Sequence, residues 1–504
     1  MKQLVQIRNI FIVCLVFSLS ACSFLNSDIP DIPSNSVKPT AQLVSYQEQE
    51  FIGFIHFTMN TFTGKEWGYG DEDPKLFNPT ALDVAQWVTT AKNAGMKQLI
   101  LTAKHHDGFC LWPSAYTAHS IKNSPYLNGN GDIVREFIEA CKAQGIKAGL
   151  YVSPWDRNQK DYGTPAYIDY YKNQLKELLS NYGEINEIWF DGANGGDGYY
   201  GGANERRNIE SKSYYGWESI FALVKELQPN IKIFSDAGPD VHWIGNENGF
   251  AGETFWSTIN KDAIVIGKSD ASYLNSGDSK GKNWIVGQCD VSIRPGWFYH
   301  PEEDHKVKSP QQLMDIFYKS VGRNAILLLN LPPNQEGIIH PNDVKVLQEF
   351  KRIREQTFAV DLAQKASATA SNYRGKYAKF HPINVLKESA YWATDATVLS
   401  SDLFLDFKEP QSFNRILLQE PIEFGQRIES FELATFNPAT SEWTTIFKGT
   451  TIGYKRILRV AQQKTMKLRL RITKANNSIA ISKLGLFKAT DQELSQNNKE
   501  YYEN

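Results

Sequence analysis

"TALDVAQWVTTAKNAGMKQLILTAK", residues 80–104, decides the fold. Leu82, Ala85, Val88 and Ala91 share one face at helical spacing, with Thr80 and Asp83 as the capping residues and Gly95 as the stop. The apolar run that follows is short and reads as a buried strand. The same unit recurs three times: "DIVREFIEACKAQG" before "IKAGLYVS", "AYIDYYKNQLKELLSNYG" before "EINEIWFD", and "YYGWESIFALVKELQPN" before "IKIFSD". Helix, turn and strand in succession mean parallel strands joined by right-handed crossovers. "IGFIHFTMN" upstream and "WIGNE", "WIVGQCDV" and "AILLLNL" downstream supply the remaining strands. Eight such strands predict an α/β fold of the (β/α)8, TIM-like type, over residues 44–355. An open doubly wound sheet fits less well, because no glycine-rich phosphate loop follows the first strand.

The strands end on polar residues. "LILTA" runs into Lys104-His105-His106-Asp107, "GLYVS" into Pro154-Trp155-Asp156, and "EIWF" into Asp191-Gly192. "KIFS" runs into Asp236 and "WIGN" into Glu247. In a barrel these ends share one face, and that face carries the active site. A carboxylate such as Asp191 at the end of an apolar strand costs desolvation energy unless something uses or pairs it. Several carboxylates with histidines and aromatics, and no cofactor motif, point to glycoside hydrolysis, which needs one carboxylate as nucleophile or base and another as proton donor. Ten of the twelve tryptophans fall between Trp67 and Trp297, and their flat faces suit stacking on sugars. A metal-dependent hydrolase built on His105-His106 is the competing reading, although no H-x-H, H-E-x-x-H or Cys-rich signature supports it. A non-catalytic sugar-binding barrel is the third.

The 504 residues exceed one ordinary core, so two domains are expected. A net charge of −2 provides no field for nucleic acid or an anionic membrane. At the N-terminus, Lys2 and Arg8 precede "IFIVCLVFSLSA", the right length for a signal-peptide core and too short to span a bilayer. "LSACS" resembles the lipobox of bacterial lipoproteins. That resemblance implies a leader over 1–21, lipid attachment at Cys22, and export to the cell envelope, at its periplasmic or outer face, with the lipid as the membrane contact. Residues 22–43, polar and proline-rich, read as a tether. Cys110, Cys141 and Cys289 show neither metal nor disulfide spacing and read as packed thiols.

"GFIHFTMNTFTGKEWG", "ILTAKHHDGFCLWPS", "YVSPWD", "IWFDGANG", "GPDVHWIGNENG" and "SIRPGWFYH" together resemble the glycoside hydrolase family 29 α-L-fucosidases, over roughly residues 45–350. The resemblance implies a retaining, metal-independent barrel enzyme without cofactor, removing terminal L-fucose from fucosylated oligosaccharides or glycoconjugates. It implies Asp191 as nucleophile. The stretch holding Glu247 is similar to that of the subgroup selective for α-1,3/1,4-fucosides, which implies Glu247 as general acid/base, with Asp236, Asp240 and Glu253 as rivals. His56, Glu66, Trp67, His105 and His106 look like ligands of the fucose hydroxyls and ring. Tyr151, Arg294 and Trp297 line the same pocket by this likeness, Trp297 facing the C5 methyl, although Arg294 equally suits orienting a carboxylate. His242 stands where arginine is expected and Thr58 where glycine is common, so substrate preference is less defined than reaction type. A galactoside-type substrate and a catalytically impaired glycan binder stay open.

From residue 360 the pattern changes to short β-branched and aromatic runs such as "LFLDF", "RILLQE" and "KLRLRIT". These predict an antiparallel β-sandwich over 360–488. "ASATASNY", "YWAT" and "GQRIESFEL" resemble discoidin-like domains. Residues 489–504 read as a polar, mobile tail, and oligomeric state is not legible.

Overall fold

The computed structural model describes residues 29–495. The leader read at 1–21, Cys22 and the end of the tail lie outside the described residues. Eight parallel strands close into a barrel in chain order: β1 (Phe51–Ile55), β2 (Gln98–Lys104), β3 (Lys147–Val152), β4 (Glu187–Trp189), β5 (Lys232–Ser235), β6 (Val241–Trp243), β7 (Val286–Ser292) and β8 (Ile326–Asn330), with β8 pairing back to β1. Period-two alternation sorts their side chains. Ile100 points into the barrel with Phe54, Trp189, Phe234 and Leu328, while Leu99 and Leu101 face the helices with Val88, Phe137 and Leu178.

The main helices are α1 (Ala41–Gln47), α2 (Val84–Ala94), α3 (Ile133–Gln144), α4 (Pro165–Asn181), α5 (Trp217–Leu227), α6 (Pro310–Lys319) and α7 (Pro341–Thr357). Asp83 caps α2 by accepting from the Gln86 N–H at 2.8 Å, and Asp132 caps α3 through the Arg135 N–H at 3.0 Å. The alternation breaks at one place. Only Asp236–Asp240 separate β5 from β6, with no helix between them. The sixth strand also stops at Trp243, short of the expected "WIGN". Gly245 lies beyond it at φ +88°, where a Cβ would meet the Ala271 carbonyl oxygen at 2.4 Å. Glu247 therefore rides on a loop, not on a strand end.

The barrel floor is polar. Glu187 is fully buried there and accepts from the Tyr46 hydroxyl of α1 at 2.7 Å, from Gln98 Nε2 at 2.6 Å and from Gln288 Nε2 at 3.1 Å. Burial pushes its carboxyl up to about 7. Gln288 Oε1 in turn accepts from the Trp189 indole at 2.8 Å, tying floor to cavity.

The C-terminal unit is an antiparallel sheet domain. Its strands β9 (Ala366–Ala370), β10 (Ser401–Gln419), β11 (Ile428–Asn437), β12 (Glu442–Gly449), β13 (Arg456–Ala475) and β14 (Lys483–Phe487) centre on the long β10–β13 pair. Leu403, Leu405, Phe431, Leu468 and Leu470 fill its core. Two expectations at the chain ends are corrected. The tether's described part is packed: Ile32 is buried against Phe380 and Ala480, and Asn35 Nδ2 donates to the Gln426 carbonyl at 2.8 Å. The tail's start is packed as well, because Glu493 on α8 (Asp491–Leu494) accepts from Arg415 at 2.6 Å, Tyr318 at 2.7 Å and Thr357 at 2.6 Å. A single buried Ile or Glu among polar residues leaves no periodicity to read. Cys110, Cys141 and Cys289 are buried free thiols.

Candidate active site

A cavity of about 350 Å³ opens at the C-terminal end of the barrel strands. His56, Glu66, Trp67, His105, His106, Tyr151, Asp191, Glu247 and Trp297, expected from sequence, all line it. Phe54 and Trp189 form its base, and Asp236, Trp243, Lys268 and Asp290 complete the wall.

Asp191 stands two residues past the end of β4. Its Oδ1 accepts from the Ala193 N–H at 2.6 Å and its Oδ2 from the Tyr151 hydroxyl at 2.9 Å. Burial raises its carboxyl, and those two donors oppose the rise. Glu247 faces the same cavity and accepts from the Trp297 indole at 3.2 Å through Oε2. Burial raises it too, the Trp297 bond opposes, and the charges of Asp191 and Glu66 add to the rise. The nucleophile candidate thus holds two strong donors, while the acid candidate holds one weak donor and feels a neighbouring charge.

The rivals are placed elsewhere or occupied. Asp236 lines the cavity, but its Oδ2 holds the Gly267 N–H and the Ser269 hydroxyl, both at 2.9 Å. Asp240 pairs with Lys225 at 2.7 Å, and Glu253 is exposed beside Arg323; neither lines the cavity.

Hydrogen bonding fixes the tautomers of the three histidines. Asn330 Nδ2 donates to the Trp297 carbonyl at 2.8 Å, so its Oδ1 faces His56 Nδ1 at 2.8 Å. His56 therefore donates through Nδ1 and offers Nε2 as an acceptor. The Ser153 hydroxyl donates to the Trp155 carbonyl and accepts from His106 Nδ1, both at 2.7 Å, which leaves His106 Nε2 an acceptor 3.9 Å from Asp191 Oδ2. His105 is the reverse. Asn60 Nδ2, oriented by the Glu66 carbonyl at 3.3 Å, donates to its Nδ1 at 3.2 Å, so Nε2 carries the proton. Burial lowers His56 and His106 to about 3 and lowers His105 as well, so all three are neutral at pH 7. The cavity thereby offers hydroxyl groups both acceptors and a donor. Among the described residues no group of three or more His, Cys, Asp or Glu is arranged to hold a metal ion.

One predicted residue is not in the cavity. Arg294 is fully buried behind it, donating through Nε and Nη2 to Asp343 at 2.9 and 3.0 Å and through Nη2 to Asp304 at 2.9 Å. Its expected place in the sugar pocket is corrected: it ties β7 to α7 and serves carboxylates, as its type equally allowed. Glu66 is held by the Trp297 N–H at 2.8 Å and by His300 Nε2 at 2.9 Å. Thr58 caps the short helix Met59–Thr63, and His242 is buried against Phe255 outside the cavity. Sequence reasoning missed Asp290, which is buried and accepts from the Trp243 indole at 2.9 Å. Burial holds its carboxyl well above the ordinary value. Its signal was the "CDVS" end of the seventh strand.

Two carboxyl groups in unlike surroundings, facing one aromatic-lined cavity at the top of a (β/α)8 barrel, define a glycoside hydrolase. Residues 36–352 match the family model described as alpha-L-fucosidase, and the chain belongs to that family, glycoside hydrolase family 29, as an alpha-L-fucosidase. Alpha-L-fucosidase 1 of Arabidopsis thaliana is 45% identical over 488 residues, 96% of this chain and 94% of the plant chain. A solved glycoside hydrolase 29 family member from an unknown rumen bacterium is 42% identical, with a TM-score of 0.80 over 91% of this chain and 78% of that one. A Ruminococcus gnavus GH29 fucosidase, solved in complex with fucose, is 32% identical with a TM-score of 0.83, covering 93% and 98% of the two chains.

Proposed function

We propose that the protein is a retaining exo-α-L-fucosidase acting on α-1,3/1,4-linked terminal fucose, with Asp191 as nucleophile and Glu247 as general acid/base. The observation that carries this reading is the unequal treatment of the two carboxyl groups. Burial raises both carboxyls, but at Asp191 the Ala193 N–H and Tyr151 O–H oppose the rise, whereas at Glu247 a single 3.2 Å bond from Trp297 opposes it and the Asp191 charge adds to it. Asp191 attacks the anomeric carbon as Glu247 gives its proton to the departing glycosidic oxygen, leaving a covalent fucosyl-enzyme. Glu247, now ionised, takes a proton from water, which attacks the same carbon and frees Asp191. The acceptors His56 Nε2 and His106 Nε2 and the donor His105 Nε2–H bind the sugar hydroxyls. Trp297 supplies an apolar wall for the C5 methyl. The fucose complex of the Ruminococcus gnavus relative supports the sugar.

The C-terminal sheet domain we read as a discoidin-like buttress, because its contacts are structural: Ser257 N–H to Gln426 Oε1 at 3.0 Å and Thr254 to Thr450 at 2.8 Å join it to the barrel. Export and lipid attachment at Cys22 complete the proposal. Proton NMR of the first-formed product on an aryl α-L-fucoside tests the mechanism: α-fucose must appear first, and β-fucose as the initial anomer would sink it. A panel of aryl glycosides tests the sugar, and turnover of α-1,2-, α-1,3/1,4- and α-1,6-fucosylated oligosaccharides tests the linkage.

A further inference from the structure

A second chamber of about 370 Å³ adjoins the sugar cavity, and Glu247 and Trp297 line both. We propose that this chamber is the leaving-group subsite and that it takes a sugar carrying an anionic substituent, a carboxylate or a sulfate ester, read by Lys308. The proposal rests on the fucosidase reading, which places fucose in the first cavity. A general acid must reach the glycosidic oxygen, so the departing sugar lies on the far side of Glu247 from the fucose ring. The second chamber shares Glu247 and Trp297 with the first and so lies beside the acid, and Phe250 and Trp297 give it ring faces for stacking.

Charge accounting singles out Lys308. Three other chamber residues are ionisable, and two of them are ion-paired inside the protein. Arg294 is held by Asp343 and Asp304. Asp315 lies between Lys319 at 2.9 Å and Arg459 at 2.7 Å. Glu247 carries the catalytic proton in the step concerned. Lys308, among the described residues, has no carboxylate within ion-pair distance; its ammonium donates to the carbonyls of Ser292 at 2.7 Å and Arg294 at 3.3 Å, leaving a third proton. Burial pulls its pKa down, which an incoming anion would relieve. The neighbouring polar group also donates. Gln312 Oε1 is taken by the Ser309 N–H at 2.8 Å in the capping box of α6, so the amide NH₂ of Gln312 is its remaining polar group. Two donors with protons left over, on Lys308 and Gln312, suit an anion.

The test is kcat/KM on matched substrates: a neutral α-1,3/1,4-fucosylated oligosaccharide, the same glycan bearing a carboxylate sugar, and the same glycan bearing a sulfate ester. An aryl α-L-fucoside is run alongside. The native enzyme should favour at least one anionic glycan over the neutral one by about tenfold, the scale of one charge-assisted hydrogen bond. Lys308→Gln should bring that ratio to about one and Lys308→Arg should restore most of it. Equal treatment of neutral and anionic glycans by the native enzyme would overturn the subsite, as would a Lys308→Gln variant that loses all three glycans in the same proportion. Failure on the aryl fucoside would instead strike the fucosidase reading itself, so the two are told apart.

Discussion

Replacing Tyr151 by phenylalanine removes one oxygen atom from the site and measures what keeps Asp191 ionised. The ring should stay in place, since it is buried and stacked between His105 at 5.6 Å and Trp189 at 5.3 Å. The hydroxyl's bond to Asp191 Oδ2 is 2.9 Å long. A hydrogen bond to a charged group contributes about 1.5–3 kcal/mol, and one pKa unit corresponds to about 1.4 kcal/mol. Its loss should therefore raise the Asp191 pKa by about one to two units. A nucleophile must be ionised, so kcat/KM falls as pH drops through its pKa, and in Tyr151→Phe that acidic limb moves to higher pH by the same amount. The basic limb, set by Glu247, should barely move. Profiles of kcat/KM on an aryl α-L-fucoside from about pH 4 to pH 8 read both limbs. A variant whose rate falls evenly at every pH with the acidic limb fixed would refute the assignment.

The remaining predictions concern the histidines and the buried ion pairs. Nitrogen-15 NMR should find His56 and His106 as Nδ1–H tautomers and His105 as Nε2–H at pH 7; a shared tautomer would contradict the hydrogen-bond pattern. His56 and His106 sit near 3 against an ordinary 6.5, so between those values the unfolded chain binds more protons and stability falls as pH drops. Denaturant melts from about pH 7 to pH 4 should show this, and His56→Gln should reduce the slope by about one proton. Arg294→Met strands the buried Asp343 and should cost about 3–5 kcal/mol of stability, with KM for an aryl fucoside nearly unchanged; a large rise in KM would return Arg294 to the sugar pocket. Glu493→Ala leaves Arg415 buried and unpaired and should cost a similar amount, whereas an unaltered melting temperature would restore a mobile tail.

The barrel was legible because its helices announce themselves twice, by apolar spacing and by a terminal glycine, as at Gly95 and Gly145. The β5–β6 step was not, since a five-residue connection between parallel strands has no periodic signal, and the sixth strand slid by two residues. The convergence of His56, Tyr151, Asp191 and Trp297 follows from strand ends sharing a face. Arg294 shows the limit of that rule: it follows a strand end, yet its long side chain turns outward to Asp343. Asp290 escaped notice because it lies within the last strand residues, where alternation alone decides whether a carboxyl faces the cavity or the helices. Its face became visible only with the register of β7 against β8, which pairs Asp290 with the inward Leu328.

The packed segments that flank the barrel mean that it is not a portable cassette. Its floor is stoppered by Tyr46, contributed from upstream of the first strand, and Gln47 of the same helix donates to the Asn324 carbonyl at 2.9 Å beside the last one. The segment leading to that helix is clasped by the C-terminal domain, where Arg427 reaches the Pro33 carbonyl, and the far end returns through Glu493 to Tyr318 of α6. Excising residues 44–355 for fusion or domain shuffling would cut through α1, the helix that carries Tyr46, and take away Glu493, which holds Tyr318 of α6. Sequence exchange among relatives should therefore preserve both termini as a set, and chimaeras that join one parent's barrel to another's flanks should lose foldability before they lose chemistry.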